Sequence, residues 1–255
     1  MMWVARHMQR SCLGLGLVIL SGMAGCTKQD SMPGVEVSIV SPSGSHAPTN
    51  LSVLEGSCIQ ITVGHGPTLL VQSDEADLVT IPAILRTKPQ REVGGIIVNA
   101  DRSLKSSQVV EVLDKIAESG VSDQVYFLAR RTDGTKACYP YSLPLLDEDR
   151  KFSWYRVVPR APNPDLTGQT RQIITNTAFP GLALLTVEIR EHSFYTLEKE
   201  LQDEDLAMLL RDSMTEHTTL TVGCYASERA TYQRLIDFFD ICTQAGLRNY
   251  VIFRN

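Results

Sequence analysis

The stretch IIVNADRSLKSSQVVEVLDKIAESGVSDQVYFLAR, residues 96–130, decides the fold of the first half of the chain. It begins with a β-branched run that ends in a polar turn, a pattern typical of a buried strand. Apolar residues then recur at helical spacing and form one stripe: Val109, Val110, Leu113, Ile116 and Ala117. Gly120 stands where a helix C-terminal cap is expected, and residues 125–128 form a second apolar run. The stretch therefore predicts a strand, a helix and another strand.

The same pattern returns at residues 220–255, in LTVGCYASERATYQRLIDFFDICTQAGLRNYVIFRN. A shift of 126 residues, the separation of Gly120 and Gly246, aligns the apolar stripes of the two stretches. The same shift aligns Asp114 with Asp240. Residue identity between the copies is low, so they share a pattern and are not a recent duplication. The apolar stripe, the aspartate and the glycine that ends the helix all coincide under this shift. This coincidence predicts two modules of one fold.

A β-hairpin and a helix are predicted before each copy. Gly64 and Gly66 supply the turn of the first hairpin, and Pro82 suits the first turn of a short helix. The predicted elements are hairpins at 58–63 with 68–71 and at 182–189 with 194–197, and helices at 82–86 and 202–214. Each module is thus predicted as β-β-α-β-α-β, a mixed β-sheet covered by two helices, which places the chain in the α+β class.

The chain divides into five predicted segments: a signal peptide at 1–25, a lipidated tether at 26–56, a first module at 57–130, a linker at 131–180 and a second module at 181–255. The tether is rich in Ser, Pro, Gly and Thr and contains one candidate strand at 35–40. The linker is rich in Pro, Gly, Asn and Asp and contains one candidate strand at 154–158. A connection of this length favours two domains over one.

The first 26 residues are typical of an export signal. Arg6 and Arg10 lie in a start without acids, residues 11–22 are an apolar run, and small residues precede Cys26. The segment Met23-Ala24-Gly25-Cys26 resembles the bacterial lipobox, although Leu is preferred where Met23 stands. This resemblance implies cleavage before Cys26 and lipid attachment to its sulfur. The alternative is an ordinary secretory signal with a chance cysteine. An uncleaved membrane anchor is less favoured, because about 20 apolar residues are needed to cross a bilayer.

Charge and cysteine content narrow the possible partners and cross-links. A net charge of -5 argues against a nucleic-acid partner. Outside the cytoplasm, disulfides can form between the cysteines that follow Cys26, and these four allow three pairings: Cys58, Cys138, Cys224 and Cys242. A disulfide between Cys58 and Cys138 is favoured, because both flank the predicted first sheet. Cys242 lies roughly 11–16 Å along a helix from Cys224, which is too far for a bond.

Residues 96–129 resemble the periplasmic domain of the ExbD/TolR family of biopolymer-transport proteins. The matching features are Ala100-Asp101, the helix Val109-Val110-Glu111-Val112-Leu113-Asp114 and the turn Ser119-Gly120-Val121. The second copy has Ala226-Ser227 where the family has Ala-Asp. The family handles protons with an aspartate in a membrane helix, and the apolar N-terminal run contains no acid. The resemblance therefore implies a docking module for an ExbB-, TonB- or Tol-like envelope protein, not a proton-driven motor.

No residue pattern indicates catalysis, a metal or a cofactor, so a non-enzymatic protein is predicted. His46, His65, His192 and His217 are dispersed and lack metal-ligand spacing. A hydrolase would require Glu and His side chains to converge around residues 188–192. Asp101 is expected to organise the strand-to-helix corner. The positions of Asp114 and Asp240, one residue beyond the stripe, are expected on a solvated face.

These observations predict a lipoprotein of the bacterial envelope, anchored to the membrane by lipid and docking a partner protein at exposed strand edges. Thr27 replaces the aspartate that retains enterobacterial lipoproteins at the inner membrane, which favours the outer membrane under that sorting rule. The alternative is an extracytoplasmic lipoprotein that binds peptidoglycan or a small ligand in a pocket between the modules.

Overall fold

The computed structural model describes residues 38–42, 44, 46–88, 94–143, 183–216, 220–247 and 250–252. The predicted signal peptide, the lipid-attachment residue Cys26 and the candidate strand at 154–158 lie outside these residues. Residues 38–40, the described part of the candidate strand at 35–40, are not in a strand.

The described residues form twelve strands and five helices. The strands are β1 (Thr49–Asn50), β2 (Cys58–Val63), β3 (Leu69–Val71), β4 (Asp74–Ala76), β5 (Gly95–Ala100), β6 (Gln124–Arg130), β7 (Lys136–Ser142), β8 (Ala183–Ile189), β9 (Phe194–Thr196), β10 (Lys199–Leu201), β11 (Leu220–Ala226) and β12 (Tyr250–Ile252). The helices are α1 (Leu51–Leu54), α2 (Ile81–Thr87), α3 (Ser106–Ser119), α4 (Asp203–Glu216) and α5 (Tyr232–Gln244).

Two mixed sheets organise the chain into two α+β modules. The larger sheet has the order β1-β7-β6-β5-β2-β3-β4, and the smaller has the order β10-β9-β8-β11-β12. The predicted hairpins and helices are present in both modules. The predicted order β-β-α-β-α-β is one strand short, because each hairpin is followed by a third short strand, β4 or β10. The observed order is β-β-β-α-β-α-β.

The shift of 126 residues seen in the sequence holds in the backbone. Cys58 pairs with Gly95 in the parallel β2–β5 ladder, and Leu184 pairs with Thr221 in the parallel β8–β11 ladder. The residue that follows β5 and the residue that follows β11 form equivalent hydrogen bonds. The amide of Asp101 donates to the carbonyl of Val63 at 2.9 Å, and that of Ser227 donates to Ile189 at 2.8 Å. The two modules are therefore copies of one fold.

The larger sheet also takes strands from the segments predicted as tether and linker. β7 pairs antiparallel with β6 over seven residues, and β1 pairs with β7 through Thr49 and Asn50. α1 follows β1 directly and buries Leu51 and Leu54 against the sheet. The first module therefore includes β1 and α1 from the end of the predicted tether and β7 from the start of the predicted linker.

The modules meet along a seam with local two-fold symmetry. The amide of Ser106 donates to the carbonyl of Ala230 at 2.9 Å, and the amide of Tyr232 donates to that of Leu104 at 2.7 Å. Under the shift of 126 residues, Ser106 corresponds to Tyr232 and Leu104 to Ala230. Each module therefore donates the equivalent amide to the equivalent carbonyl of the other, so the pair of bonds is reciprocal. Lys105 lies between them and forms an isolated antiparallel bridge with Thr231.

One continuous core joins the two modules. Phe239 of α5 stacks on Phe127 of β6, with ring centroids 5.2 Å apart, and on Tyr250 of β12 at 4.7 Å. Tyr141 of β7 stacks on Tyr250 at 6.3 Å, and its hydroxyl accepts the amide of Ile252 at 3.3 Å. Aromatic side chains of both modules thus interdigitate, and α5 packs on the inner face of the larger sheet.

Candidate functional site

Asp101 organises the corner between β5 and α3. The residue is 6% exposed, and its side chain accepts hydrogen bonds from the amides of Ser103 at 2.9 Å and Ser38 at 2.7 Å. The Ser103 hydroxyl also donates to it, and His65 Nε2 lies 3.2 Å from Oδ1. The predicted role at the corner is therefore confirmed.

The corner brings a serine, a histidine and an aspartate together, but not as a catalytic triad. A triad needs an imidazole that uses both ring nitrogens, one for the serine and one for the carboxylate. Here one atom, His65 Nε2, lies 2.8 Å from Ser103 Oγ and also contacts Asp101. Burial opposes the charge of Asp101, but hydrogen bonds from Ser103 and Ser38 lower its pKa overall. A carboxylate with a lowered pKa is a weak base, so this geometry suits a structural corner.

Asp240 is the centre of a second carboxylate cluster, at the contact between the modules. It accepts hydrogen bonds from the Tyr139 hydroxyl and the His46 amide, and His46 Nδ1 lies 3.1 Å from its other oxygen. Burial of Tyr139, together with its bond to Asp240, raises the Tyr139 pKa. The prediction that Asp114 and Asp240 lie on a solvated face is wrong, because Asp240 is 4% exposed and Asp114 is 7% exposed. β7 and the chain before β1 cover Asp240, and both come from distant parts of the sequence.

A groove runs over the face of the larger sheet that lies opposite the main core, and we call it the outer groove. Its volume is about 450 Å³, and it lies between α1 and the β3–β4 hairpin. Leu51, Leu70 and Ile97 form an apolar floor, and Glu55, Gln60 and Gln72 are polar lining residues. Strand alternation places Ile97 on this face, while its neighbours Ile96 and Val98 enter the main core.

The chemistry of the outer groove favours an apolar group attached to a hydrogen-bonding backbone. The three floor residues are at most 8% exposed, so they form a preformed apolar surface. Gln60 and Gln72 carry amides that can pair with peptide groups. Glu55 is the charged member of the lining, so a neutral or basic ligand is favoured over an anion. Val53 of α1 is 73% exposed and is a further apolar side chain on this helix.

A second, polar cavity of about 660 Å³ lies at the N-terminal ends of α4 and α5. Arg234 crosses between the helices and contacts both carboxylate oxygens of Asp203 at 2.6 and 3.1 Å. Its guanidinium also lies 4.0 Å from the centre of the Phe194 ring. Asp237 lies beside it, and burial raises the Asp237 pKa. This pairing fastens the two helices together.

The acids and histidine around residues 188–192 do not converge. Glu188 binds Arg190 at 3.1 Å, whereas His192 lies 3.5 Å from Glu191 at the exposed turn. The convergence that would indicate a hydrolase is therefore not seen at this hairpin.

The structure does not form the predicted disulfide between Cys58 and Cys138. Both are free thiols, and β5 and β6 lie between the strands that carry them. Three strand spacings amount to about 14 Å, and a disulfide needs Cα atoms within about 7 Å. Cys224 and Cys242 are also free and buried in the main core. Cys242 thus has its expected role as a small apolar residue.

Two of the four edge strands in the described sheets, β4 and β10, are short and charged. β4 consists of Asp74, Glu75 and Ala76, and β10 is equally short and begins with Lys199 and Glu200. Short charged edges discourage pairing with another chain. The other two edges, β1 and β12, are also short but carry no charged residue, and Tyr250 and Ile252 of β12 form hydrogen bonds with β7.

The described ranges contain neither a metal-binding group nor a helix suited to cross a membrane. No three His, Cys, Asp or Glu residues there could hold a metal ion together. None of the helices in that part of the chain is long and apolar enough to cross a membrane. No protein-family model matches the chain, and no curated protein matches it.

Proposed function

We propose that this chain is a non-enzymatic lipoprotein of the bacterial envelope that docks a partner protein through the outer groove. The groove is the observation that carries this proposal, because it offers a preformed apolar floor with amides beside it. An extended peptide segment fits these features. One apolar side chain would fill the space over Leu70 and Ile97, and its backbone would meet Gln60 and Gln72.

The resemblance of residues 96–129 to the ExbD/TolR periplasmic domain supports a partner from a TonB- or Tol-type complex. The fold agrees with such a domain in having one mixed sheet and two main helices in each module. Lipid attachment at Cys26 would hold the modules at the membrane, in place of a membrane helix. We infer a periplasmic orientation, with the outer membrane favoured by Thr27.

A second candidate function, binding of a small ligand or a peptidoglycan fragment, is supported by the size of the groove. A volume of about 450 Å³ falls within the range of small-molecule pockets. The two candidates differ in what the groove retains: a protein segment or a free molecule.

Photo-cross-linking from the groove tests the docking proposal. A photoreactive amino acid replaces Ser73 in the full lipidated chain, because Ser73 lies in the β3–β4 turn and lines the groove. The matched control replaces Glu198, which holds the same place in the β9–β10 turn of the second module. We expect an adduct with a TonB- or Tol-type protein from Ser73, and none from Glu198. Equal adducts from both sites would refute docking at the groove.

The variant Gln60→Arg separates the two candidate functions. It places a charge at the side of the groove, so it should abolish the Ser73 adduct while leaving the fold intact. If the groove binds a small molecule, native mass spectrometry of the unsubstituted protein should show a bound mass that Gln60→Arg loses, with no protein adduct from Ser73.

Membrane fractionation tests the anchor independently of the groove. The variant Cys26→Ala should release the body of the protein from the membrane fraction, because it removes the sulfur that receives the lipid. Retention of this variant in the membrane would count against the lipoprotein.

A further inference from the structure

Residues 38–42, 44, 46 and 47 precede β1 and have no regular secondary structure, and we call them the strap. It hydrogen-bonds to both modules. The carbonyl of Val40 accepts the amide of Arg130 at the end of β6, at 2.9 Å. The amide of Ser41 donates to Gln233 Oε1 on α5, at 3.1 Å. Arg131 then donates to the carbonyl of Ala47 at 2.7 Å. The strap thus joins the end of β6 to α5.

Buried carboxylates hold the strap at each end. Asp101 of the first module accepts the amide of Ser38, and the carbonyl of Ser38 accepts the amide of Arg102 at 3.0 Å. Asp240 of the second module accepts hydrogen bonds from both the amide and the ring nitrogen Nδ1 of His46. Because Asp240 is 4% exposed, departure of His46 would leave this charge with Tyr139 as its remaining described donor.

The strap fits closely against α5. A Cβ atom on Gly44 would lie 2.5 Å from Asp240 Oδ2 and 2.6 Å from the His46 ring, so only glycine fits here without displacement. Val40 is fully buried in the main core. The strap is therefore part of the packing between the modules and not a loose leader.

We propose that the strap is a releasable latch between the two modules. Chain movement on the N-terminal side of Ser38 would act first on its bond with Asp101, and then on the contacts with α5. Release would loosen α5 from the larger sheet and make the seam open more often. Whatever holds the residues before Ser38 would thereby control how firmly the modules are joined. This inference does not depend on the outer groove or on lipid attachment.

Amide hydrogen exchange, measured by NMR on the full chain, tests the latch. The reporters are the amides of Ser106 and Tyr232, which form the reciprocal bonds of the seam. His46→Ala and Gly44→Ala should each accelerate exchange at both amides at least about tenfold, the factor that one lost charge-assisted hydrogen bond produces. The amides of Gln72 and Ser227, bonded within single modules, should keep their rates.

His65→Ala is the matched control, because His65 contacts the carboxylate of Asp101 from outside the strap. It should leave the seam amides within about twofold of the unsubstituted rate. Unchanged seam amides in both strap variants would overturn the latch, and so would an equal acceleration of Gln72 and Ser227. If either strap variant fails to fold, Gln233→Ala removes Oε1, the acceptor of the Ser41 amide among the described residues. It should still accelerate the seam amides, and no acceleration would overturn the proposal.

Discussion

Lys105 forms an antiparallel bridge with Thr231, the residue that follows it by 126 positions. A residue that pairs with its own counterpart lies on a two-fold axis, as in the isologous interface of a homodimer. The reciprocal bonds of Ser106 and Tyr232 flank this axis. The two modules are therefore joined as two subunits of a dimer would be, but within one chain.

The shared aromatic core predicts that both modules unfold together. Phe239 is fully buried and stacks on rings from both modules, so Phe239→Ala should lower the free energy of unfolding by roughly 3–5 kcal/mol. Scanning calorimetry should show one transition, shifted as a whole to lower temperature. Met208→Ala, at a position 57% exposed on α4, should change stability by less than about 0.5 kcal/mol. Two transitions, of which only one shifts, would contradict a shared core.

The lowered pKa of Asp101 predicts a loss of stability in acid. A carboxyl whose pKa is lower in the folded state than in the unfolded state stabilises the fold at neutral pH, and the effect disappears as the carboxyl is protonated. Asp101→Asn should therefore cost about 1–3 kcal/mol at pH 7. The difference from the unsubstituted protein should shrink as the pH falls below the ordinary value of 3.8.

Urea unfolding at a series of pH values measures this difference. Asp212→Asn, at an exposed position of α4, serves as the control and should follow the unsubstituted protein at every pH. A constant difference between Asp101→Asn and the unsubstituted protein down to strongly acidic pH would mean that the carboxylate charge does not stabilise the corner.

The forked contact between Arg234 and Asp203 predicts that lysine cannot replace Arg234. A lysine keeps the charge but not the two parallel bonds or the contact with the Phe194 ring. Arg234→Lys should cost about 1–2 kcal/mol in chemical unfolding. The same exchange at Arg211, exposed on α4, should have no measurable effect. Equal stability of the two variants would show that the two parallel bonds between Arg234 and Asp203 contribute nothing to the free energy of unfolding.

The burial of the thiols predicts selective labelling of one described cysteine. Cys58 is partly exposed, whereas Cys138, Cys224 and Cys242 are buried. Burial raises the pKa of Cys58 above 9.0, so alkylation of the native protein should be slow at pH 7 and accelerate as the pH rises. Mass spectrometry of alkylated peptides measures this order. A disulfide-linked Cys58–Cys138 peptide under non-reducing conditions would contradict the observed strand order.

Local sequence patterns were sufficient to predict the repeated elements. The apolar stripe predicted α3, and Gly120 predicted where α3 ends. The shift of 126 residues gave the same prediction for α5. The short strands β4 and β10 were missed, because charged residues such as Asp74 and Glu75 have the composition of a turn. β7 was missed because Pro140 lies within it, and a proline inside a run argues against a strand.

The clusters around Asp240 and Asp101 were harder to predict, because their partners are distant in the sequence. Asp240 lies beside an apolar stripe, which is a solvated position on an isolated helix. Its burial comes from Tyr139 and His46, which are 101 and 194 positions away. The outer groove likewise depends on α1, whose residues have the composition of a tether. A periodic pattern within one helix or strand does not indicate contacts with residues that are distant in the sequence.

The outer groove has a floor residue in the first module that the second module lacks, and this difference has a consequence for binding stoichiometry. A symmetric dimer of identical subunits presents each surface twice and binds two ligands in opposite orientations. Here Gly223 of β11 stands where the first module has the floor residue Ile97 of β5, so the second sheet does not repeat this apolar floor. One chain would thus engage one partner in one orientation, and an assembly built on it would have a defined polarity.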